Sequence, residues 1–358
     1  MSALAHRSRS ENLPDGREPA ARRTDGLAGL VWVTWRQHRW ALLGSLVLTA
    51  VVVGWMAYLS VHLMTLYHQC GDARCSKDTG AGAALWADYG PIRQAETLDL
   101  VVRYLPLLIG VFLGVPLLAR EHEQRTLLLA WSQDVSPVRW LWTKLALLGL
   151  YVAALTAVLS AVTDHLAGGY STIIGGGLFD DRSFLVTGMF PLAAGVCWFA
   201  IGVALGALVR RTLPAVFTVL AGYIGLMLGV QWRYPTLLAP LSLYQHLDQP
   251  SPLAADPNGL IINGYITIGP DSVSNLFASP GHEITYADLQ RLCPQLNPRQ
   301  PNLDDCPNRG QLLHLVTYQP SSRIPDFHLI IAGGYLGLTA VALAAVWLIV
   351  RRTNLSAG

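Results

Sequence analysis

The densest group of ionisable side chains outside the N-terminal tail is Glu121, His122, Glu123 and Arg125. It lies in the segment REHEQRTLLLAWSQDVSPVRWLWTK, from Arg120 to Lys144. Catalytic chemistry is not what surrounds it. The chain has no G-x-x-x-x-G-K-[ST], no dinucleotide-binding glycine fingerprint, no H-E-x-x-H and no G-x-S-x-G. His282-Glu283 continues as Ile-Thr-Tyr. The chain therefore binds no ATP in a recognised way and does not read as an intramembrane protease. After Arg125 the segment turns amphipathic through Leu127, Leu128, Leu129 and Trp131. That pattern predicts a helix along the inner face of a membrane, with charge toward a partner and Leu and Trp toward lipid. An ordinary charged loop is the alternative.

Two further groups carry chemistry. Cys70 and Cys75 fall between the first two apolar stretches, and Cys293 and Cys306 between the last two. If those connections face outward, disulfides persist there. The sequence-local pairing, Cys70 with Cys75 and Cys293 with Cys306, is one of three connectivities. Metal binding by His68, Cys70 and Cys75 is the rival, but no fourth ligand is evident, so no metal is expected. Cys197, inside an apolar stretch, reads as a packing residue. Asp99 and Arg103 are spaced i, i+4 and predict a pair at the outer end of the second stretch. Gating of an outer mouth is the sharper reading of the same pair. Few other acids or imidazoles interrupt the apolar stretches, so an ion-coupled relay is not indicated.

The elements that position these groups are six stretches of bilayer length: Ala41–Val61, Leu98–Leu118, Trp142–Val162, Phe184–Val209, Leu213–Val230 and Leu329–Val350. Spans of about 20 apolar residues read as transmembrane helices. The pool agrees, at 52% hydrophobic and 13% charged. A net charge of +2 and the lack of basic runs alternating with aromatics exclude nucleic acid as a partner. Expected is an all-α integral membrane protein of six spans with both termini inside. Arg36, Arg39, Arg120, Arg125, Arg139, Lys144, Arg210, Arg211, Arg351 and Arg352 set that orientation.

Residues 1–26 are polar and read as a disordered cytoplasmic tail. Residues 27–40 (LAGLVWVTWRQHRW) suit an interfacial amphipathic helix, with a plain extension of the first span as the alternative. Residues 41–231 hold spans one to five, with 120–144 as the cytoplasmic segment. Residues 232–327 are rich in Pro, Asn and Asp and read as a small extracytoplasmic domain. Its β-like runs are Leu260–Ile268 and Leu313–Tyr318, and one disulfide staples it. Residues 328–358 supply the sixth span and a cytoplasmic C-terminus. Arg210, Arg211 and Thr212 make a tight hairpin between spans four and five. Gly110-x-x-x-Gly114, Gly202-x-x-x-Gly206 and Gly225-x-x-x-Gly229 permit close helix contact. No internal repeat or pair of broken helices is visible.

The segment after the second span resembles the ABC-2-type permeases, membrane subunits of ABC exporters. The residues that carry the resemblance are Arg120, Glu121, Glu123 and Thr126, then Leu127–Leu129, Ser136-Pro137 and Lys144. Arg125 stands where the family usually has Gly. The six spans, the TWRQHR segment and the large loop between spans five and six extend the likeness over the transmembrane part. The resemblance implies a homodimer of permeases with two separate ATPase subunits, which hold the ATP and Mg. Arg120, Glu121, Glu123, Arg125 and Thr126 would couple to the ATPase. Reversing both carboxylates to Lys would then uncouple hydrolysis from transport in a folded protein. The family's pathway runs between spans two and five, which implies Tyr104, Phe112, Phe217, Tyr223 and Met227 as lining for a lipophilic compound, lipid or peptide. It also implies a multi-pass location in the plasma membrane. The competing reading is a membrane scaffold or signalling protein whose outer domain binds a ligand without transport.

Overall fold

The computed structural model describes residues 25–69, 90–123, 137–174, 178–179, 183–246, 256, 258–268, 283–294, 306 and 312–355. Six of its helices are long and apolar enough to cross a membrane. They are α1 (Asp25–Gln69), α2, α3 (Pro137–Ile174), α4 (Phe190–Val209), α5 (Thr212–Arg233) and α7 (Ile324–Leu355). Helix α2 is built of three consecutive pieces, Gly90–Ile109, a π turn at Gly110–Gly114, and Val115–Glu123. The π turn lies between Pro106 and Pro116, where proline has already weakened the regular hydrogen-bond ladder.

Helix α4 is the centre of the bundle, in contact with α2, α3, α5 and α7. Its sequence explains the position: FPLAAGVCWFAIGVALGALV has no charged residue and no polar face, as suits a helix enclosed on every side. Between α2 and α4 the packing is glycine against glycine. A Cβ on Gly114 would stand 2.7 Å from the Phe199 carbonyl oxygen and 3.0 Å from the Gly202 Cα. One on Gly206 would stand 2.6 Å from the Val115 oxygen. The Gly110/Gly114 and Gly202/Gly206 spacings therefore face each other and let two backbones touch. The Gly225/Gly229 spacing does not: nothing lies within 4 Å of either position.

Two boundaries differ from the sequence reading. No proline interrupts residues 25–69, and the separate interfacial helix expected over 27–40 is instead the first part of α1. At 45 residues, α1 is about 68 Å long, more than twice the hydrocarbon thickness of a bilayer. The fourth span begins at Phe190 rather than Phe184. Phe184–Val186 form a 3-10 turn, and Gly188, at φ 64°, turns the chain into α4. The all-α expectation is also corrected. The region between α5 and α7 carries a three-stranded antiparallel sheet, in the order β1 (Leu241–His246), β3 (Leu312–Gln319), β2 (Leu260–Ile268).

Leu241 pairs with Tyr318 and Leu260 with Gln319, and a bulge interrupts β2 between Ile261 and Asn263. Both faces of β3 carry buried residues, Leu312 and Val316 on one and Leu315 and Gln319 on the other. Short helix α6 (Tyr286–Leu292) starts at Thr285, whose hydroxyl accepts from the Asp288 N–H at 3.3 Å. Cys293 and Cys306 are disulfide-bonded, as the local pairing predicts, and are buried against Leu312, Ile266, Ile284 and Leu289. Cys70 and Cys75 lie outside the described residues. A loop of 13 residues closed by this bridge is worth about 3 kcal/mol in chain entropy. Cys293→Ser with Cys306→Ser should therefore raise amide hydrogen exchange in β2, β3 and α6 while leaving α4 protected.

Buried polar groups join sheet to bundle. The Gln319 side-chain amide is fully buried and donates to Leu238 O at 2.8 Å and Pro235 O at 3.2 Å. Arg323 donates to Ala239 O at 2.8 Å and to Gln319 Oε1 at 3.0 Å.

Candidate functional site

The last turn of α2 is the most connected polar point in the bundle. Glu121 points inward. Lys144, on α3 and only 1% exposed, places its ammonium 2.7 Å from Glu121 Oε1 and 2.8 Å from Gln37 Oε1 of α1. The same ammonium sits 4.0 Å from the centre of the Trp140 ring. A lysine is almost never fully buried unless paired, and here every face of the cation is engaged. Glu121 Oε2 is buried with no hydrogen-bond partner.

Two residues on, Glu123 points the other way. Its Oε1 accepts from the Thr212 N–H at 2.7 Å and its Oε2 from the Thr212 hydroxyl at 3.0 Å. Arg211, at the N-cap of α5, makes no side-chain capping bond of its own. Glu123 supplies that cap from another helix, with its charge at the positive end of α5. Glu121 and Glu123 thus tie the end of α2 to α1, α3 and α5. Glu123→Ala should lower the thermal unfolding midpoint in detergent, and Glu123→Gln, which keeps an acceptor, should lower it less.

Around this end stand Arg36 over Trp32, Arg39 over Trp40 and Arg351 over Trp347, each guanidinium about 5 Å from the ring centre. Arg120, Arg139, Arg210 and Arg211 are at the same end, as the helix order requires. Arg210 closes α4 in the left-handed conformation at φ 57°, a place usually given to glycine.

The expected coupling residues are thus partly located. Arg120 is exposed at the end of α2, while Arg125 and Thr126 lie outside the described residues, as does the amphipathic stretch through Trp131. Glu121 is not a free surface carboxylate, because its charge is held by Lys144. A lysine at position 121 would put two cations together in a buried site, so the double reversal would not leave the fold intact. Sequence reading placed Lys144 at the start of the third span but did not pair it, and gave Gln37 and Thr212 no role at this site.

The expected pathway residues divide. Phe112 and Phe217 are each 66% exposed, and Tyr104 is also exposed. Tyr223 is corrected. It is 5% exposed, its hydroxyl donates to the Arg103 carbonyl, and its ring meets Trp198 edge-on at 5.1 Å. It braces α5 on α2 and α4 rather than lining an open path. Met227 packs against the central core. Asp99 and Arg103 share a polar groove of about 350 Å³ with Arg93, Glu96 and Thr97.

At the opposite end a buried group that the sequence did not signal links four elements. His328 of α7 stacks on Phe184 at 4.7 Å, with Nε2 3.1 Å from the Phe184 carbonyl. Phe184 stacks on Tyr234 at 4.9 Å. The Gly188 N–H donates to Asp164 at 2.5 Å, and the Ser160 hydroxyl to the Gly188 carbonyl. Among the described residues no group of His, Cys, Asp and Glu is arranged to hold a metal.

A family model described as ABC-2 membrane transporter related matches residues 46–234, just over half of the chain. The chain belongs to that family. Its members are membrane transport subunits that normally work with a separate ATPase, so this ABC-2-related chain is a multi-pass membrane protein of permease type. A second model, described as a domain of unknown function, matches residues 236–324. The boundary between the two falls at Pro235, beside the Gln319 junction of sheet and bundle. No curated protein and no solved structure matches the chain.

Proposed function

We propose that this chain is the permease of an ATP-driven exporter for a lipophilic compound, lipid or peptide. Two copies work with two ATPase subunits, which bind ATP and Mg, in the plasma membrane. The observation that carries the reading is the tie made by the last turn of α2. Lys144 of α3 and Thr212 of α5 bond directly to that turn, and Gln37 of α1 joins it through Lys144. A push on the segment that follows Glu123 therefore moves α1, α3 and α5 together. Rocking of that kind exchanges inward- and outward-facing states when nucleotide binding favours one of them.

The crowding of Arg36, Arg39, Arg120, Arg139, Arg210, Arg211 and Arg351 at one end supports a cytoplasmic location for that end. The sheet region then lies outside, where the Cys293–Cys306 bridge would be stable. The exposed ridges Tyr104–Leu108–Phe112 on α2 and Leu213–Phe217–Leu220 on α5 are apolar faces suited to a second copy or to a lipophilic cargo between copies.

The test is affinity purification in mild detergent with mass spectrometry and an ATPase assay. A stoichiometric subunit carrying the G-x-x-x-x-G-K-[ST] motif, with vanadate-sensitive hydrolysis, is the expected result. A clean preparation with neither would favour the scaffold reading and direct attention to the 236–324 region. In the assembled complex, Glu123→Lys should retain ATP hydrolysis and lose most transport.

A further inference from the structure

A cleft of about 410 Å³ opens between α5 and α7, at the end of the bundle away from Glu121. It exists because α5 and α7 each lean on α4 rather than on one another. Leu226 and Val230 form one wall, and Ile331 and Leu338 the other. Each wall is indented by a glycine, Gly229 on α5 and Gly334 on α7, and a Cβ at either position would meet nothing within 4 Å. Tyr234 and Tyr335 are buried beneath. The Tyr234 hydroxyl already donates to Phe179 O at 3.3 Å, so it is engaged within the protein.

One charged side chain lines the cleft. Arg233 is exposed at the last turn of α5, its guanidinium 5.8 Å from the Trp232 ring centre. No carboxylate pairs with it among the described residues. An apolar trough with a single cation at its membrane-edge end matches a hydrocarbon chain joined to an anionic head. A peptide would leave its backbone polar groups unpaired here. A sterol brings no anion for the arginine.

We propose that this cleft is a binding site for an acidic phospholipid, with an acyl chain between α5 and α7 and the phosphate-bearing headgroup on Arg233. The proposal does not depend on transport. Lipid tails surround the protein on all sides, so burial of the chain alone gives no preference among lipids. Preference comes from the charge of Arg233, and occupancy from the glycine indentations.

The full chain is reconstituted in nanodiscs of equal phosphatidylglycerol and phosphatidylcholine, released into mild detergent, and its retained lipids are counted by native mass spectrometry. Phosphatidylglycerol should be retained over phosphatidylcholine by about fivefold. Arg233→Gln should lower the ratio toward one, and Arg233→Lys should lower it less. Gly334→Leu, pointing into open space, should reduce retention of both lipids. Equal retention by the unaltered protein, or a preference that Arg233→Gln leaves unchanged, would overturn the proposal. So would retention unchanged in a monodisperse Gly334→Leu protein.

Discussion

Lys144→Met is expected to destabilise the protein by about 3–5 kcal/mol, the cost of leaving one charge of a buried pair without the other. Glu121 would lose its counter-ion while Oε2 already lacks a partner, and Gln37 would lose its donor. Glu121→Gln should cost a comparable amount, because it strands the ammonium beside Gln37 and Trp140. The double variant Lys144→Met with Glu121→Gln should recover most of the loss, since an uncharged pair has no ions to desolvate. Thermal unfolding in detergent across the four proteins gives the coupling directly. Simple addition of the two single costs would show that the residues do not act as a pair. In the assembled transporter the double variant separates stability from coupling. It should fold, hydrolyse ATP and transport poorly, because the link from α2 to α1 and α3 is gone.

The second large effect concerns backbone contact between α2 and α4. Gly114→Ala should cost about 1–3 kcal/mol, because the methyl group meets backbone atoms that cannot rotate away. Gly202→Val should prevent the two helices from docking, and folded protein should be lost from a size-exclusion profile. Gly225→Ala is the control. Nothing lies within 4 Å of that position, and alanine is the better helix former by about 1 kcal/mol. Equal damage at Gly114 and Gly225 would mean that the interlock of α2 with α4 does not hold the bundle. The three spacings look alike as sequence, and only their placement separates the two that bear contact from the one that does not.

The two predictions differ in what the sequence shows of them. The charges at 120–123 stand out against an apolar background, because water is the cheap place for a charge and a bilayer is not. The six spans are legible for the same reason. Length and hydropathy alone mark them, and hydrogen bonding within each helix makes them nearly independent of their neighbours. The strands near Leu260 and Leu313 and the Cys293–Cys306 bridge are also legible, since their signals are local.

Facing is different. In water, a helix declares its buried side by its apolar residues. In a membrane, lipid and protein core are equally apolar, so nothing in TLPAVFTVLAGYIGLMLGVQWR says that Phe217 points out and Tyr223 in. The tyrosine read as pathway lining is therefore a brace.

By itself the sequence determined that this chain has six segments long and apolar enough to cross a membrane, carries its charge near their ends and places Cys293 and Cys306 in a small region between the last two segments. Those are properties of single segments and of the solvent each one needs. Tertiary structure decided that Lys144 meets Glu121 and Gln37, that Glu123 caps α5, and that two glycine pairs of three interlock. It also decided that α5 and α7 part to leave a cleft ending at Arg233. Each of these joins residues distant in the chain, and what brings them together is packing around α4, which no local pattern encodes.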